Sequence, residues 1–404
     1  MSSVGRVTSL DTDRIRAHFP ALALGVAHFD GPGGSQTPTE VAEAVAAAMT
    51  SGVSNRGTIT DAELRAERIV TDARAAMGDL LGTDARGLVF GRSMTALTFD
   101  LARTLSADWG PGDEIVVTRL DHDANIRPWV LWAERAGATV RWLGFDPETA
   151  ELDDLETVLS TRTRLVAVTA ASNLFGTRPD VTAISRAAHE VDALVYVDGV
   201  HLVPHAPVDR TALGADLLAC SPYKFFGPHL GALAASPALL ERLSPDKLVP
   251  SSDAVPERFE LGTLPYELLA GITACVDFIA ALAPGLATDR RDRITASMTT
   301  VEAHEDVLLE RLLTGLGAID GVTRHGRPAR RTPTVLFSVE GHTGREVHEA
   351  LAKADVNAPA SSFYAIEASR HAGLGDDGAV RAGIAPYTSV EDVDRLVAAV
   401  AALR

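Results

Sequence analysis

The feature that most constrains the fold of this chain is a series of short, continuously apolar segments that alternate with helical segments. We predict seven strands between residues 87 and 236, which read GLVFG, DEIVVTRL, TVRWLGF, RTRLVAVTAAS, ALVYVDGV, ADLLACS and LGALAAS. Strands that are apolar at every position are buried on both faces, which is typical of a parallel sheet covered by helices. The sequence therefore predicts an α/β protein with a mainly parallel seven-stranded sheet and helices on both faces.

The pattern changes near residue 266, where helical segments precede a strand, TPTVLFSVEGH, and the chain ends with VRAGIAPY and one more helix. We expect an N-terminal segment over residues 1–20 that packs on a small domain, a large domain over 21–265, and a smaller C-terminal α+β domain over 266–404.

Charge and cysteine content exclude several classes of protein. The net charge of −17 argues against a nucleic-acid partner and against an anionic membrane surface, because both require a basic footprint. The first twenty residues are polar, and no apolar stretch approaches the length of a bilayer span. The two cysteines, Cys220 and Cys275, exclude a disulfide framework and fit a reducing compartment. We therefore expect a soluble cytoplasmic protein without a membrane or nucleic-acid partner.

Chemically distinctive residues follow several of the predicted strands, at the sheet edge where such folds bind ligands. Lys224 lies in SPYKFFG, among aromatic residues that would lower the pKa of its amine if they buried it. Asp198 ends the strand ALVYVD, where a carboxylate needs a cation nearby. A lysine whose amine extends to water is the ordinary alternative for Lys224.

Further candidates begin a helix, follow other strands or lie inside one. They are Ser93, Met94 and Thr95 at the start of a helix, His122 and Asn173 after strands, and Arg381 in AVRAGIAPY. The helix start offers free N–H groups to a phosphate, although a serine N-cap is equally ordinary. Adjacent side chains of an extended segment point opposite ways, so the DHD triplet at 121–123 is a weak metal pattern and we predict no metal site.

Together these residues match the needs of pyridoxal 5′-phosphate. That cofactor requires an amine, a carboxylate for its ring nitrogen, a phosphate cradle and a group that stacks on the ring. An amino-acid substrate adds an arginine for its carboxylate. We therefore interpret Lys224 as the Schiff-base lysine.

The sequence resembles the class V aminotransferase-fold enzymes, in the cysteine desulfurase and selenocysteine lyase group. The resemblance covers nearly the whole chain and rests on FDGPGGSQTP, SNRGTI, VVTRLDHDANIRPW, SNLFGT, VYVDGVHLVPHAPVD, CSPYKFFGPHLG, RFELGT and VRAGIAPYTSVEDVDRLV, in the family's order. It implies a fold type I enzyme and a homodimer with shared active sites.

Residue roles follow from the same resemblance. His122 would stack on the pyridine ring, Asp198 would pair with its nitrogen, and Arg381 would clamp the substrate carboxylate. The implied cofactor-binding residues are Ser93, Met94, Thr95, His122, Asn173, Asp198, His201, Ser221, Tyr223, Lys224 and Thr263, the last reaching the phosphate of the partner. The implied substrate-binding residues are Asn55, Arg56, Tyr364 and Arg381, of which the first two approach the partner's pocket.

The chain departs from the desulfurases at several positions. His201 replaces a glutamine and Tyr223 a histidine, and both can still form hydrogen bonds. The stretch DVNAPASSFYAIEASRHAG lacks the cysteine that becomes a persulfide in desulfurases, and an ungapped match places Tyr364 there. The arginine that usually precedes that loop in the family is also absent, and Pro359 stands nearest to its position. Cys220 and Cys275 read as small core residues.

We therefore expect C–S β-elimination of an S-substituted cysteine without a protein persulfide. The small, apolar loop APASSFYAIEAS would leave room for a bulky sulfur substituent. The alternatives are an aminotransferase or a decarboxylative or oxidative deaminase, a cysteine desulfurase or selenocysteine lyase, a sulfur-transfer protein that uses Cys220, and a non-catalytic binding or scaffold protein.

Overall fold

The computed structural model describes residues 10–283, 285 and 287–404. In this part of the chain the helices are α1 (Thr12–Arg16), α2 (Thr39–Thr50), α3 (Asp61–Leu81), α4 (Met94–Leu105), α5 (Arg127–Ala136), α6 (Val181–His189), α7 (Pro237–Arg242), α8 (Tyr266–Ala280), α9 (Arg290–Gly317), α10 (Gly344–Lys353), α11 (Ile366–His371) and α12 (Val390–Ala401). The strands are β1 (Ala27–His28), β2 (Leu88–Gly91), β3 (Glu114–Thr118), β4 (Thr139–Leu143), β5 (Thr163–Thr169), β6 (Leu194–Asp198), β7 (Leu217–Cys220), β8 (Gly231–Ala235), β9 (Val322–His325), β10 (Thr334–Val339), β11 (Val356–Asn357), β12 (Ala360–Ser361) and β13 (Ala379–Gly383). None of the described helices combines the length and apolar content that a membrane span requires.

The large sheet has seven strands in the order β2-β8-β7-β6-β5-β3-β4. Strand β8 runs antiparallel to both of its neighbours, and the other pairings are parallel. The prediction of a mainly parallel seven-stranded sheet is therefore confirmed.

Successive side chains of the central strands enter two different cores, because a strand points alternate residues to opposite faces. Val116 of β3 belongs to the core that contains Val166. Its neighbours Ile115 and Val117 belong to the core on the other face. Both cores are apolar, so the strands show no hydrophobic alternation in the sequence, and helices cover both faces as predicted.

The C-terminal region forms a separate four-stranded antiparallel sheet in the order β12-β13-β10-β9, with its own core against α10, α12 and the end of α9. Helix α8, which we assigned to this region from the sequence, packs instead against α2 and α3 and buries its apolar face in a core of the large sheet. The domain limits themselves stay a prediction.

The described N-terminal residues bridge the two regions. Phe19 packs edge-to-face on Phe226 and Phe278 of the large region. Arg16 pairs with Asp392 at 2.8 Å, at the start of α12. Strand β1 then pairs in parallel with β11 of the C-terminal region. Of the predicted segment 1–20, residues 1–9 lie outside the described residues.

Candidate active site

A cavity of about 580 Å³ opens at the carboxyl ends of β3, β5, β6 and β7, where the sequence predicts a ligand site. The predicted site residues in its walls are Met94, Thr95, His122, Asn173, Asp198, His201, Ser221, Tyr223, Lys224, Tyr364 and Arg381. Residues far apart in the sequence meet here because neighbouring parallel strands end at the same edge of the sheet.

Lys224 ends a short 3₁₀ turn that follows β7, and its amine faces the cavity. Its Nζ donates to the carbonyl oxygen of Pro32 and lies 4.9 Å from the centroid of the Tyr223 ring. Burial, and then the nearby Arg381 charge, lower the pKa of Lys224 to about 7, while Asp198 opposes the shift. A large fraction of this amine is therefore neutral and nucleophilic at neutral pH.

Asp198 is the last residue of β6, and its side chain is buried in the wall of the cavity. Its Oδ1 accepts a hydrogen bond from the N–H of Val200 at 2.8 Å. Burial raises the pKa of this carboxyl to about 6, against the opposing effects of that hydrogen bond and of Lys224. A buried carboxylate of this kind favours a cationic group beside it, such as a protonated ring nitrogen.

Helix α4 presents its N-terminus to the cavity through Met94 and Thr95. The Ser93 hydroxyl accepts from the N–H of Ala96 at 3.1 Å, so its side chain caps the helix and lies outside the walls. Strand β8 packs closely under this turn, since a Cβ on Gly231 would lie 2.4 Å from the Met94 nitrogen. The first turn of α4 thus lies in the cavity wall, and free N–H groups at a helix start are the donors that an anion site uses.

His122 lies in the wall with its ring 5.7 Å from that of Tyr364, at an interplanar angle of 28°. Its Nδ1 accepts from the N–H of Ala124 at 3.0 Å. Burial, followed by the Lys224 and Arg381 charges, lowers the pKa of His122 to about 4, so the ring is neutral and available for stacking.

Asn173 and Arg381 form the side of the cavity next to the loop at residues 361–365. The Nδ2 of Asn173 donates to the carbonyl oxygen of Phe363 at 3.0 Å, and its Oδ1 is buried without a hydrogen-bond partner. Arg381 is 2% exposed, and burial lowers its pKa to about 9. Buried polar atoms without partners indicate that a ligand completes this site.

His201 and Tyr223 face the cavity beside Ser221. The Nε2 of His201 lies 2.9 Å from the Thr334 hydroxyl on β10, so this residue contacts the C-terminal sheet. The Tyr223 ring stacks on His229, with centroids 4.6 Å apart.

Besides Ser93, three predicted residues lie outside the walls of this cavity in a single chain, namely Asn55, Arg56 and Thr263. Asn55 and Thr263 are exposed. The Arg56 guanidinium binds both oxygens of Glu67, at 2.7 and 2.9 Å, and also contacts Glu257 at 3.0 Å. The contacts that we expected these residues to make with a partner's site stay a prediction.

Several wall residues escaped sequence reasoning, among them Pro32, Phe99, Arg127 and Phe363. Pro32 belongs to GPGG within the motif FDGPGGSQTP, which could have indicated a loop close to the site. Asp121 was considered only as part of a metal pattern. It is completely buried, accepts from Asn125 Nδ2 at 2.6 Å, and has its pKa raised to about 8 by burial.

The cavity therefore fits pyridoxal 5′-phosphate by the chemistry of its donors. It combines a largely neutral lysine amine, a buried carboxylate at a strand end, a helix N-terminus and a neutral histidine ring. The partnerless Asn173 Oδ1 and Arg381 Nε are the polar atoms that the cofactor or its substrate would satisfy.

Comparisons with known proteins agree over nearly the full length. Residues 27–396 match the family described as Aminotransferase class-V. The chain is 34% identical to an uncharacterized protein of Mycobacterium tuberculosis, over 97% of this chain and 99% of that protein. It is 31% identical to the probable cysteine desulfurase 2 of Mycobacterium leprae, over 98% of this chain and 97% of that protein. The crystal structure of cysteine desulfurase CsdA from Escherichia coli is similar with a TM-score of 0.85 and 25% identity, over 97% of this chain and 98% of that one.

Proposed function

The chain belongs to the class-V aminotransferase family, and on this basis we propose that it is a pyridoxal 5′-phosphate-dependent lyase that cleaves the C–S bond of an S-substituted cysteine. Members of this family use that cofactor, and the chain is related to cysteine desulfurases. The proposal concerns the specific reaction, the residues that perform it and the cofactor of this chain.

Each part of the cofactor has a matching group in the cavity. Lys224 would bond to its aldehyde, Asp198 would hold the ring nitrogen protonated, and the α4 N-terminus at Met94 and Thr95 would bind its phosphate. His122 would stack on the ring. When bound, the cofactor supplies an electron sink for the pair of electrons released when a bond to the substrate Cα breaks.

Lys224 has a second task in this proposal, which is to move the proton at the substrate Cα. Its amine is partly neutral near pH 7 and can accept that proton as a general base. The Cβ–S bond then breaks, and the sulfur leaves with the bonding electron pair and is protonated to a thiol. Overall, an S-substituted cysteine and one water give the thiol, pyruvate and ammonium, so no oxidant or second amino acid is needed.

The observation that carries the choice of reaction is the position of the two cysteines. Cys220 and Cys275 are each 0% exposed, and neither lies in the described walls of the cavity. Burial raises the pKa of both thiols, which disfavours the reactive thiolate. At the loop where a desulfurase carries its nucleophile, this chain has Tyr364, whose side chain cannot become a persulfide.

We also propose that two copies of the chain associate and share their sites. The exposed residues Asn55 and Thr263 lie near unusually exposed apolar side chains in sequence, since Ile59 is 87% and Leu261 58% exposed. The resemblance to the cysteine desulfurase group, which implies a homodimer with shared active sites, supports this association. A second copy would cover them and bring Asn55 and Thr263 to its own cavity.

The proposed reaction is tested with a panel of S-substituted cysteines and common amino acids, incubated with the purified holoenzyme without any keto acid. We expect pyruvate and the matching thiol in equal amounts, with no turnover by Lys224→Ala. The double variant Cys220→Ala/Cys275→Ala should keep the wild-type rate.

Two outcomes would contradict the proposal. Turnover that stops after one equivalent until a keto acid is added would indicate transamination. Release of sulfide from unsubstituted cysteine that requires Cys220 would indicate desulfuration through a protein persulfide.

A further inference from the structure

One edge of the Arg381 guanidinium, formed by Nε and Nη2, makes no hydrogen bond to the described residues. Its Nη1 donates to the carbonyl oxygen of Asn173 at 2.9 Å. Its Nε is buried and has no hydrogen-bond partner. The edge formed by Nε and Nη2 is therefore where two parallel N–H groups remain for a planar, bidentate anion.

The face of the same guanidinium is covered by an aromatic ring. The centroid of the Phe363 ring lies 3.7 Å from Arg381 Cζ, which is a close cation–π contact. Arg381 is 2% exposed, so this contact is shielded from water and stronger than it would be at a surface. The ring thus holds the plane of the guanidinium and blocks approach from that side.

The loop that carries Phe363 is itself held in an unusual conformation. Phe363 and Tyr364 have positive φ angles of 51° and 58°, which side chains larger than glycine rarely adopt. Asn173 Nδ2 donates to the Phe363 carbonyl at 3.0 Å, and the N–H of Asp123 donates to the Tyr364 carbonyl at 2.7 Å. Such strain persists only where surrounding contacts enforce it, and it commonly marks a functional position.

Two ion pairs fix the same loop from its C-terminal side. Glu367, in the first turn of α11, accepts from Arg119 at 3.0 Å and also pairs with Arg127. Both arginines belong to the segment around His122. The position of the Phe363 ring is therefore set by the segments that follow β3 and β5, which also supply His122 and Asn173 to the cavity.

We propose that Phe363 is a positioning residue that makes the Arg381 site selective for a planar carboxylate over a tetrahedral oxyanion such as a sulfonate. A carboxylate places both oxygens in the plane of the free guanidinium edge. A sulfonate always carries an oxygen out of that plane, and on the covered side this oxygen meets the Phe363 ring. The inference rests on the proposed function, because it takes Arg381 as the group that binds the substrate carboxylate.

Binding is tested with two ligands that lack an amino group and so cannot condense with the cofactor. They are 3-(methylthio)propanoate and 2-(methylthio)ethanesulfonate, which differ only in the anionic group. Each is titrated into the holoenzyme by calorimetry, with thermal unfolding as a check on folding. We expect the wild type to bind the carboxylate at least about tenfold more tightly than the sulfonate, in line with one desolvated cation–π contact and one bidentate pair.

Variants of Phe363 distinguish the effect of its aromatic ring from the effect of its side-chain volume. Phe363→Leu and Phe363→Met keep an apolar side chain but remove the aromatic face, so both should weaken carboxylate binding by about tenfold and bring the two ligands close to equal affinity. Phe363→Tyr keeps the face and should retain wild-type selectivity. A leucine or methionine variant that folds normally and keeps the wild-type ratio between the ligands would overturn the inference.

Arg381→Gln distinguishes this inference from the proposed function. If Arg381→Gln binds the carboxylate as well as the wild type does, Arg381 is not the carboxylate site, and both the inference and that part of the proposed function fail. If Arg381→Gln loses binding while the Phe363 variants keep full selectivity, only the role of Phe363 is wrong.

Discussion

Lys224 lies under the loop that contains Pro32, where burial and the Arg381 guanidinium both disfavour its ammonium form. The sequence indicated this residue and Asp198 because each lies at or just after the end of an apolar strand. Parallel strands of one sheet end at the same edge, so the two side chains were expected to lie close together. Phe363 could not be found in the same way. Its importance depends on a backbone conformation that brings its ring onto Arg381, and neither the strain nor the contact leaves a pattern in the sequence.

The lowered pKa of Lys224 predicts a pH dependence for cofactor capture. Only the neutral amine attacks an aldehyde, so the rate at which the apoprotein captures pyridoxal 5′-phosphate should rise with pH and level off above a midpoint near 7. The change in visible absorption on mixing measures this rate. A rate that keeps rising tenfold per pH unit well above pH 8 would show that the amine keeps an ordinary pKa, near 10.5.

At the scale of secondary-structure elements, the sequence predicted the strands of the large sheet and the helix that begins after Ser93. It did not predict the direction of every strand or the packing partners of every helix. The antiparallel direction of β8 was not predicted, because a buried strand is apolar in either orientation. The packing of helix α8 was not predicted for a similar reason. Its apolar face fits either core, and only tertiary packing places it on α2 and α3.

The contact between β8 and the start of α4 predicts that Gly231→Ala damages the phosphate end of the site. The added methyl group would lie 2.3 Å from the Ser93 carbonyl carbon, so the α4 N-terminus must shift. We expect stability to fall by about 1–3 kcal/mol, as is typical of overpacking. The cofactor dissociation constant should rise by at least about tenfold. Denaturant unfolding and cofactor titration measure the two effects.

Gly110→Ala is the matched control, because a methyl group there meets nothing within 4 Å. It should leave both quantities unchanged. Gly231→Ala with normal cofactor affinity would show that the α4 N-terminus does not bind the phosphate.

At the scale of the whole molecule, buried ionisable groups lie where helix α9 packs against the large region. Glu305 of α9 is 1% exposed, and its Oε2 lies 3.0 Å from His205 Nδ1 of the large region. Burial raises the pKa of Glu305 to about 7. No sequence pattern revealed this pair, because its members are a hundred residues apart, one on helix α9 and the other in the turn after β6.

The raised pKa of Glu305 predicts how its replacement changes stability with pH. Between its ordinary pKa of 4.5 and about 7, the folded state holds a proton that the unfolded state has lost, so this group lowers stability as pH rises through that window. Glu305→Gln cannot ionise. Its free energy of unfolding relative to wild type should therefore be higher at pH 8 than at pH 5.

Denaturant unfolding at both pH values measures this difference, with Glu349→Gln at an exposed position as the control. If Glu305→Gln is less stable than wild type by the same amount at both pH values, the Glu305 carboxylate is ionised throughout and the prediction is wrong.

The pairing of β1 with β11 has a consequence for the order in which the protein matures. Residues 27–28 leave the ribosome long before their partner residues 356–357. The stretch that follows β1 contains Pro32, whose carbonyl oxygen accepts a hydrogen bond from the amine of Lys224. A nascent chain can thus assemble its large sheet long before this stretch reaches its final position, so the pocket is completed only after residues 356–357 have emerged.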